Sequence, residues 1–545
     1  MKVIIVGGVA AGMSAATRLR RLNEQAEIVV FEMGEHVSYA NCGLPYFVSD
    51  VISDRDSLLL QTPKSLHDRF NLDVRVRHKV TKLNPENKTV QVLNLATNSE
   101  ETHSYDYLVL ATGASPRKPA IEGIDRALKL RDVSDVDLLK QAVQHAQTKT
   151  AVVLGGGFIG IEVAENLTKL GFAVTVVQRN KSILPNFDPE MIEPLQARLV
   201  QHGVTLKLKS QVEKISADKV FLTDGSQIDA AIVVSATGVK PDNKLAVDAS
   251  LKIGVTGGLW VDDQQRTSNP FIFAAGDAVE KHGEITGEQS LIPLANLANR
   301  HGRLIADVIA GISTSAHPSI GTVIIGAFGL AAGITGLSEQ AANKAGLPFK
   351  VIHLHPSSHA GYYPGAKRIS LKVIFNEQTG ELLGAQATGE AGVDKRIDVI
   401  ATAIHGNLKI DDLMDLELAY APQFGSAKDA INQAGYVGNN VFTQRTPSVQ
   451  WHELEHELKH AVLVDVRTNG EVSQGKIPES IHIPVDTLRN HLEELKGKKV
   501  IVHCAVGQRG HTATQILRGN GIDAANLDGG FLTWRAAQDS QSRIN

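Results

Sequence analysis

A short apolar strand running directly into a glycine turn occurs twice in this chain, and few folds accommodate that repetition. The first copy reads Val3-Ile4-Ile5-Val6 followed by Gly7-Gly8-Val9-Ala10-Ala11-Gly12; the second reads Ala151-Val152-Val153-Leu154 followed by Gly155-Gly156-Gly157-Phe158-Ile159-Gly160. Each turn precedes a helix-compatible segment and another Val/Ile-rich run, at 28–31 and 174–177. Further runs at 108–111 and 231–236 continue the alternation, which predicts βαβ units and parallel sheets. Such a turn aims backbone N–H groups and the positive end of a helix dipole at an anion. Gly155, Gly157 and Gly160 complete the Gly-x-Gly-x-x-Gly pattern of a dinucleotide site, with Phe158 and Ile159 inside it. In the first copy Val9 replaces the middle glycine, while Gly7, Gly8, Ala10, Ala11 and Gly12 keep the turn small. Glu32 follows at about the 20-residue distance where an acid binds a ribose hydroxyl pair.

Two such units let one chain hold two dinucleotides, as a flavoprotein with a nicotinamide donor must. The ribose position of the second unit carries Gln178 and then Arg179 instead of an acid. Gln178 accepts the hydroxyls of NADH and Arg179 tolerates a 2′-phosphate, so NADH is the expected donor and NADPH is admissible. The length of 545 residues predicts three to five domains. The expected division is a discontinuous flavin domain (1–112 and 246–320), a nicotinamide domain (113–245), a third domain (321–440), a linker (441–448) and a fourth domain (449–545). The third region mixes a strand at 368–375 with a helix at 396–405, and the stretch 439–447 reads as a polar loop.

Composition excludes several classes. With 55 basic against 59 acidic residues the chain has no basic field for nucleic acid. The longest uncharged stretch, 318–338, is broken by five glycines, which suits turns and strands better than a membrane span. The first residues read as a buried strand, not a secretory leader. Two cysteines, Cys42 and Cys504, cannot form a disulfide framework, so a reducing, cytoplasmic setting is expected. No metal site is expected.

Each cysteine stands alone in a distinctive loop. Ser38-Tyr39-Ala40-Asn41-Cys42-Gly43-Leu44-Pro45-Tyr46 reads as a loop entering a helix N-terminus, a setting expected to lower a thiol pKa. Without a second thiol nearby, Cys42 must cycle through a mixed disulfide, a persulfide or a sulfenate. Cys504 follows the strand Val500-Ile501-Val502-His503 and opens the loop Cys504-Ala505-Val506-Gly507-Gln508-Arg509-Gly510 before a helix at 511–518. Successive amides in such a nest stabilise an anion at sulfur, with Arg509 adding charge.

The segments Leu110-Ala111-Thr112-Gly113-Ala114, Ser235-Ala236-Thr237-Gly238 and Phe273-Ala274-Ala275-Gly276-Asp277-Ala278 make the chain resemble the flavoprotein disulfide reductases that bind two dinucleotides. The resemblance implies FAD as cofactor, Asp277 on the ribityl chain, and Leu294 and Ala295 near the flavin pyrimidine. Thr112, Gly113 and Gly238 would mark domain crossings, and Val80 is a further cofactor contact. The phrase Ala-Asn-Cys-Gly-Leu-Pro-Tyr is similar to the coenzyme A disulfide reductases and related persulfide reductases. By that resemblance Ser14, Arg18, Arg21, Ser38, Asn41 and Lys428 would hold coenzyme A, as substrate or tightly bound carrier. Phe70 and Asn299 stand where some relatives carry lysine and histidine. The third region would be a homodimer interface whose Tyr362 or Tyr363, and Tyr420, donate a proton to a leaving thiolate.

The C-terminal segment, with Asp465-Val466-Arg467 and Asp528-Gly529-Gly530-Phe531, resembles a rhodanese domain, and Ala505 after the cysteine favours an organic persulfide as client. The fold class expected is therefore α/β: two Rossmann-like domains, an α+β dimerisation domain and an α/β rhodanese domain. The expected activity is NAD(P)H-dependent, FAD-mediated reduction of coenzyme A persulfide, polysulfide or coenzyme A disulfide. The alternatives are an NADH oxidase or peroxidase cycling through a sulfenate, and a protein that mainly relays sulfane sulfur to a partner.

Overall fold

The computed structural model describes residues 1–544; Asn545, the last residue of the expected fourth domain, lies outside them. The chain forms two compact units, one of residues 1–177 and 211–319, the other of residues 178–210 and 320–545. In the first unit Lys2–Val6 is the middle of a five-stranded parallel sheet ordered Ile272–Ala274, Tyr107–Leu110, Lys2–Val6, Glu27–Phe31, Asp73–Arg75. The second glycine turn repeats the plan: Thr150–Leu154 lies between Ala173–Val177 and Ile232–Ser235, all parallel. In both sheets the strand that ends in a glycine turn has neighbours on either side, so the turn opens into the crevice at the carboxyl end of the strands.

Helix Ala10–Leu22 follows the first turn because its sequence is rich in alanine and keeps small residues on one face. Ala11, Gly12, Ala15 and Ala16 are buried there. Gly302 of helix Ala295–Ile309 packs so closely that a Cβ on it would lie 2.1 Å from the Ala11 carbonyl oxygen. The arginines at the helix end divide their work. Arg20 is buried and donates to the carbonyls of Phe70 (2.8 Å), Asn71 (2.9 Å) and Glu24 (2.5 Å). The two Ala-Thr-Gly segments lead into short strands, Ala114–Pro116 and Val239–Pro241, that pair antiparallel.

The second unit holds an antiparallel sheet ordered Val323–Ala327, Leu330–Gly336, Leu382–Gly389, Ile369–Asn376, Phe349–Leu354. The uncharged stretch 318–338 is thus two strands, and among the described residues no helix is long and apolar enough to cross a membrane. A five-stranded parallel sheet follows, ordered Ser448–Val449, Ala524–Leu527, Val500–His503, Val462–Asp465, Ile481–His482. The expected loop at 439–447 begins as helix, because Ala430–Phe442 runs through Asn439 and Asn440. Its glycines are packing surface: a Cβ at Gly438 would lie 2.1 Å from Ile410, and one at Gly435 2.5 Å from the Met414 backbone. Tertiary contact overrides the weak helix propensity of this Asn/Gly-rich stretch.

A charged cluster is buried in this unit. Lys372, with no exposed side-chain surface, contacts Asp188 (2.8 Å), Glu190 (2.6 Å) and Glu339 (2.8 Å). Its cross-strand partner His353 sets Nδ1 2.6 Å from Asp528 and Nε2 3.2 Å from Glu190. Two ring nitrogens facing two carboxylates are both satisfied only when both carry protons. Burial alone would lower the His353 pKa, but Asp528 and then Glu190 push it up to about 9. Burial would raise the Glu190 carboxyl, and Lys372 and His353 overrule it downward.

Because the His353 pKa is raised in the folded state, the charged ring contributes stability that is fully present below its ordinary value of 6.5 and is lost as pH climbs through about 9. His353→Gln should therefore destabilise the second unit by about 3 kcal/mol below pH 6.5, with the deficit closing above about pH 9. Urea midpoints read from Trp451 and Trp534 in a Trp260→Phe background, compared across that range, measure it.

Candidate functional site

The glycine turn and the Cys42 loop are hooked together. Gly8 N–H donates to Glu32 Oε2 (2.8 Å) and Gly34 N–H to Glu32 Oε1 (2.7 Å), while Ser38 N–H donates to the Gly8 carbonyl (2.8 Å). Ser38 has a left-handed φ of 50°, which swings the chain back toward the turn. The Leu60 amide then binds the Ser38 carbonyl (3.1 Å) and the Ala40 amide binds that of Leu58 (2.8 Å), so both sides of the loop are tied. Cys42 sits in a single 3₁₀ turn, Asn41–Gly43, with its thiol free and exposed.

The expected lowering of its pKa is corrected by the surroundings. Burial, then Glu162 and then Asp277, push the Cys42 thiol up. The helix it enters, Leu44–Val48, has five residues and therefore a small dipole, which two nearby carboxylates outweigh. This field brings three parts of the sequence to one place: the cysteine loop, the Gly-Asp segment and the helix after the second glycine turn. Glu162 was not legible as a site residue. It lies two positions past Gly160 and accepts from the Tyr46 hydroxyl (3.1 Å), and burial raises its own pKa. Asp277, also raised by burial, is neighboured by Lys281, which burial lowers to about 8.

The turns fit dinucleotides on their own geometry. A Cβ at Gly12 would stand 1.9 Å from the Gly7 carbonyl oxygen, and one at Gly160 2.0 Å from that of Gly155. Gly7 and Gly155 have φ near 100°. These four glycines are required by the protein itself. Gly157 is different: its φ is −81° and a Cβ there would meet nothing within 4 Å. Neither backbone nor packing demands glycine at 157, which leaves close approach by a phosphate as its reason. The helices after both turns have no side-chain cap at Val9 or Gly157, so no cap side chain competes with an anion there.

The remaining candidates are placed as follows. Phe158 opens its helix and Ile159 is 42% exposed on its first turn. Thr112 donates to the Asp242 carbonyl (2.7 Å), and Gly113 and Gly238 both take positive φ. Leu294 caps helix Ala295–Ile309 with an extended backbone, and Ala295 is exposed. Val80 is buried in the core with Val6 and Phe31, so only its backbone remains for a cofactor. The Gln178 side chain is buried and turned onto its own loop, donating to the Ser182 carbonyl and accepting from the Arg179 amide. Ser14 donates to Asn299 Oδ1 (2.6 Å), Arg18 is paired with Asp307 (2.6 Å), and Arg21 and Asn41 are exposed. Phe70 ends a helix, its carbonyl held by Arg20.

In the second unit the Tyr362 and Tyr420 hydroxyls lie 3.0 Å apart, a contact that raises the Tyr362 pKa. Tyr362 is 78% exposed, and Tyr363, Phe424 and Lys428 are exposed as well. Cys504 is buried, and Gly507, in the left-handed region, points its N–H at Sγ (3.2 Å). Arg509 does not bring unshared charge to that sulfur. Its guanidinium donates to Glu471 through two contacts of 2.7 and 2.6 Å, which hold the Glu471 carboxyl down to about 2 in pKa, so the charge at the loop is divided. A cavity of about 320 Å³ opens beside Arg509, with Arg467, Arg489 and Asp486 also in its wall.

Replacing Gly157 by alanine should leave stability within about 0.5 kcal/mol of the parent yet raise the Kd for NADH about tenfold, because the new methyl occupies only ligand space. Titration calorimetry beside thermal melts reads both. Glu162→Gln removes a negative neighbour and should shift the Cys42 thiol downward, seen as a lower midpoint in the pH dependence of its alkylation.

The model of the family described as pyridine nucleotide-disulphide oxidoreductase matches residues 1–302, and that of its dimerisation domain residues 324–431. A rhodanese-like domain model matches residues 448–537. The coenzyme A disulfide reductase of Staphylococcus aureus (strain JH9) is 32% identical over 436 residues, 80% of this chain and 99% of that one. The reduced CoADR-RHD of Bacillus anthracis is similar at 42% identity and a TM-score of 0.97, covering 98% of each chain. A NAD-dependent persulfide reductase from A. fulgidus follows at 36% and 0.92, covering 98% of this chain and 100% of that one.

Proposed function

The chain belongs to the pyridine nucleotide-disulphide oxidoreductase family, and on that premise we propose that it reduces coenzyme A persulfide, with polysulfide or coenzyme A disulfide as related substrates, using sulfur handled by its rhodanese-like domain. It is an NAD(P)H-dependent, FAD-containing enzyme of the disulfide oxidoreductase type. The observation that carries the proposal is the single thiol of Cys42, tied to the first glycine turn through Ser38 and facing Glu162 and Asp277. The names of the relatives point to the same substrates. The division adopted is flavin domain 1–112 and 246–320, nicotinamide domain 113–245, dimerisation domain 321–440 and rhodanese domain from 449, with NADH the favoured donor.

Gly7, Gly8, Gly12, Glu32 and Asp277 hold FAD, and Gly155, Gly157 and Gly160 hold the nicotinamide dinucleotide. When bound, the flavin supplies a relay for the two electrons of NADH to sulfur at Cys42. The thiolate of Cys42 attacks the coenzyme A-bound sulfur of the persulfide, so that the new S–S bond joins Cys42 to coenzyme A and hydrosulfide leaves. Two electrons then split that mixed disulfide, returning the Cys42 thiolate and freeing the coenzyme A thiolate, which a proton neutralises. A thiol pushed up by burial, Glu162 and Asp277 must lose its proton before it attacks, and Glu162, which accepts from the Tyr46 hydroxyl, is the nearby carboxylate proposed to take it. Ser14, Arg18, Arg21, Ser38, Asn41 and Lys428 bind coenzyme A, the arginines through its phosphates.

The exposed Tyr362, Tyr420 and Phe424 are covered by a second copy in a homodimer, where the paired phenols donate to the leaving thiolate. Cys504 takes sulfane sulfur from a donor and carries it as a persulfide, its loop amides holding the charge. Two free cysteines suit a reducing, cytoplasmic setting.

Anaerobic NADH consumption, measured with coenzyme A persulfide, coenzyme A disulfide, polysulfide and, in a separate aerobic run, oxygen, decides the substrate. Cys42→Ser should abolish sulfide release from coenzyme A persulfide; full retention of the rate removes the mechanism. Cys504→Ser should spare reduction of small persulfides while stopping sulfur transfer from a donor.

A further inference from the structure

His353 belongs to the sheet of the second unit, yet its contacts lead to the Cys504 loop. It lies on the edge strand Phe349–Leu354, whose open side is covered by the C-terminal domain. The Val351 carbonyl accepts from Gln450 Nε2 (3.1 Å), and the His353 amide donates to Asp528 Oδ1 (3.2 Å). The ring binds the other Asp528 oxygen, and both side chains are at most 4% exposed. Asp528 heads the turn Gly529-Gly530, whose φ values of 65° and 62° are both left-handed.

The packing of that turn has no slack. A Cβ at 529 would stand 2.7 Å from the His353 Cβ, and a Cβ at 530 would stand 2.5 Å from the Cys504 carbonyl oxygen. The next two amides close the path: Phe531 N–H donates to the Cys504 carbonyl (2.8 Å) and Leu532 N–H to that of Ala505 (3.0 Å). These carbonyls belong to the loop whose Gly507 amide reaches the sulfur. A one-ångström displacement of such a loop costs as much as the loss of a contact.

We propose that His353 is a positioning residue for sulfur transfer: clamped by Glu190, it holds Asp528, and through the Gly529-Gly530 turn it keeps the Cys504 loop closed. The charged groups facing it are Asp528 and Glu190, with Lys372 adding positive charge; His355, which burial and then His353 lower to about 3, is an uncharged neighbour. The inference rests on the reading of Cys504 as the sulfur-carrying thiol.

The test uses the full-length FAD-loaded protein as wild type, His353→Gln, Asp528→Asn and, as a surface control on the same strand, Lys350→Gln. Hydrogen exchange of peptides spanning residues 527–535 reports the Phe531 and Leu532 amides, and thiosulfate-to-cyanide transfer reports Cys504. His353→Gln should lose about tenfold in amide protection and about tenfold or more in kcat, with KM for thiosulfate little changed. NADH-driven polysulfide reduction should stay at the wild-type rate. In wild type, protection and kcat should fall together as pH rises through about 9, and the His353→Gln profile should be flat there. Should His353→Gln not fold, Asp528→Asn must show the same paired losses. Wild-type protection and kcat in either folded variant overturn the proposal. Lost protection in variants, beside a wild type that transfers sulfur neither from thiosulfate nor from an organic persulfide, keeps the strut and removes the reading of Cys504.

Discussion

The Gly7 carbonyl oxygen lies 1.9 Å from where a side chain at position 12 would begin. That contact lets helix Ala10–Leu22 start immediately at the end of the central strand, with its first amides pointing out over the crevice. The turn's outward groups become attachment points, the Gly8 amide for Glu32 and the Gly8 carbonyl for Ser38, so the Cys42 loop inherits its place from the turn. The same close approach of Gly160 to the Gly155 carbonyl builds the second turn, and the helix beyond it supplies Glu162 to the cysteine. A bulkier residue at either position would move the helix and everything anchored to it.

Charge is distributed differently around the two thiols. Cys42 is exposed at the surface, and burial of its sulfur together with the nearby Glu162 and Asp277 pushes its thiol pKa up. Cys504 is buried, in a loop of backbone amides beside an arginine whose charge Glu471 shares. One thiol is exposed to solvent, and the other is buried with the Gly507 amide aimed at its sulfur. The buried cluster of Lys372, Glu190, Asp188 and His353 joins helix Pro189–Gln201, the antiparallel sheet and the C-terminal domain into one ionic network. Buried charges of this kind cost desolvation, and each survives only because its neighbours are fully placed.

Much of the fold was legible because its signals are local. The strands at 3–6, 28–31, 151–154, 174–177 and 500–503 follow from runs of Val and Ile, and the turns from glycines that no other residue replaces. The helix over 439–442 was not legible, since Asn439 and Asn440 argue for a loop and only contact with Ile410 and Met414 shows why Gly435 and Gly438 are there. The burial of the Val80 side chain beside Val6 and Phe31, and the pairing of Arg18 with Asp307, were not legible either, since both partners are distant in the chain.

The amino-acid sequence by itself determined the two strand–turn–helix repeats, their glycine turns and the isolation of each cysteine, because these depend on residues adjacent in the chain. Only the tertiary structure decided that burial, Glu162 and Asp277 push the Cys42 thiol pKa up, that Arg509 shares its charge with Glu471, and that His353 reaches Asp528. Those outcomes depend on electrostatic partners brought together from distant parts of the chain, and a field in a low-dielectric interior is a property of positions in space.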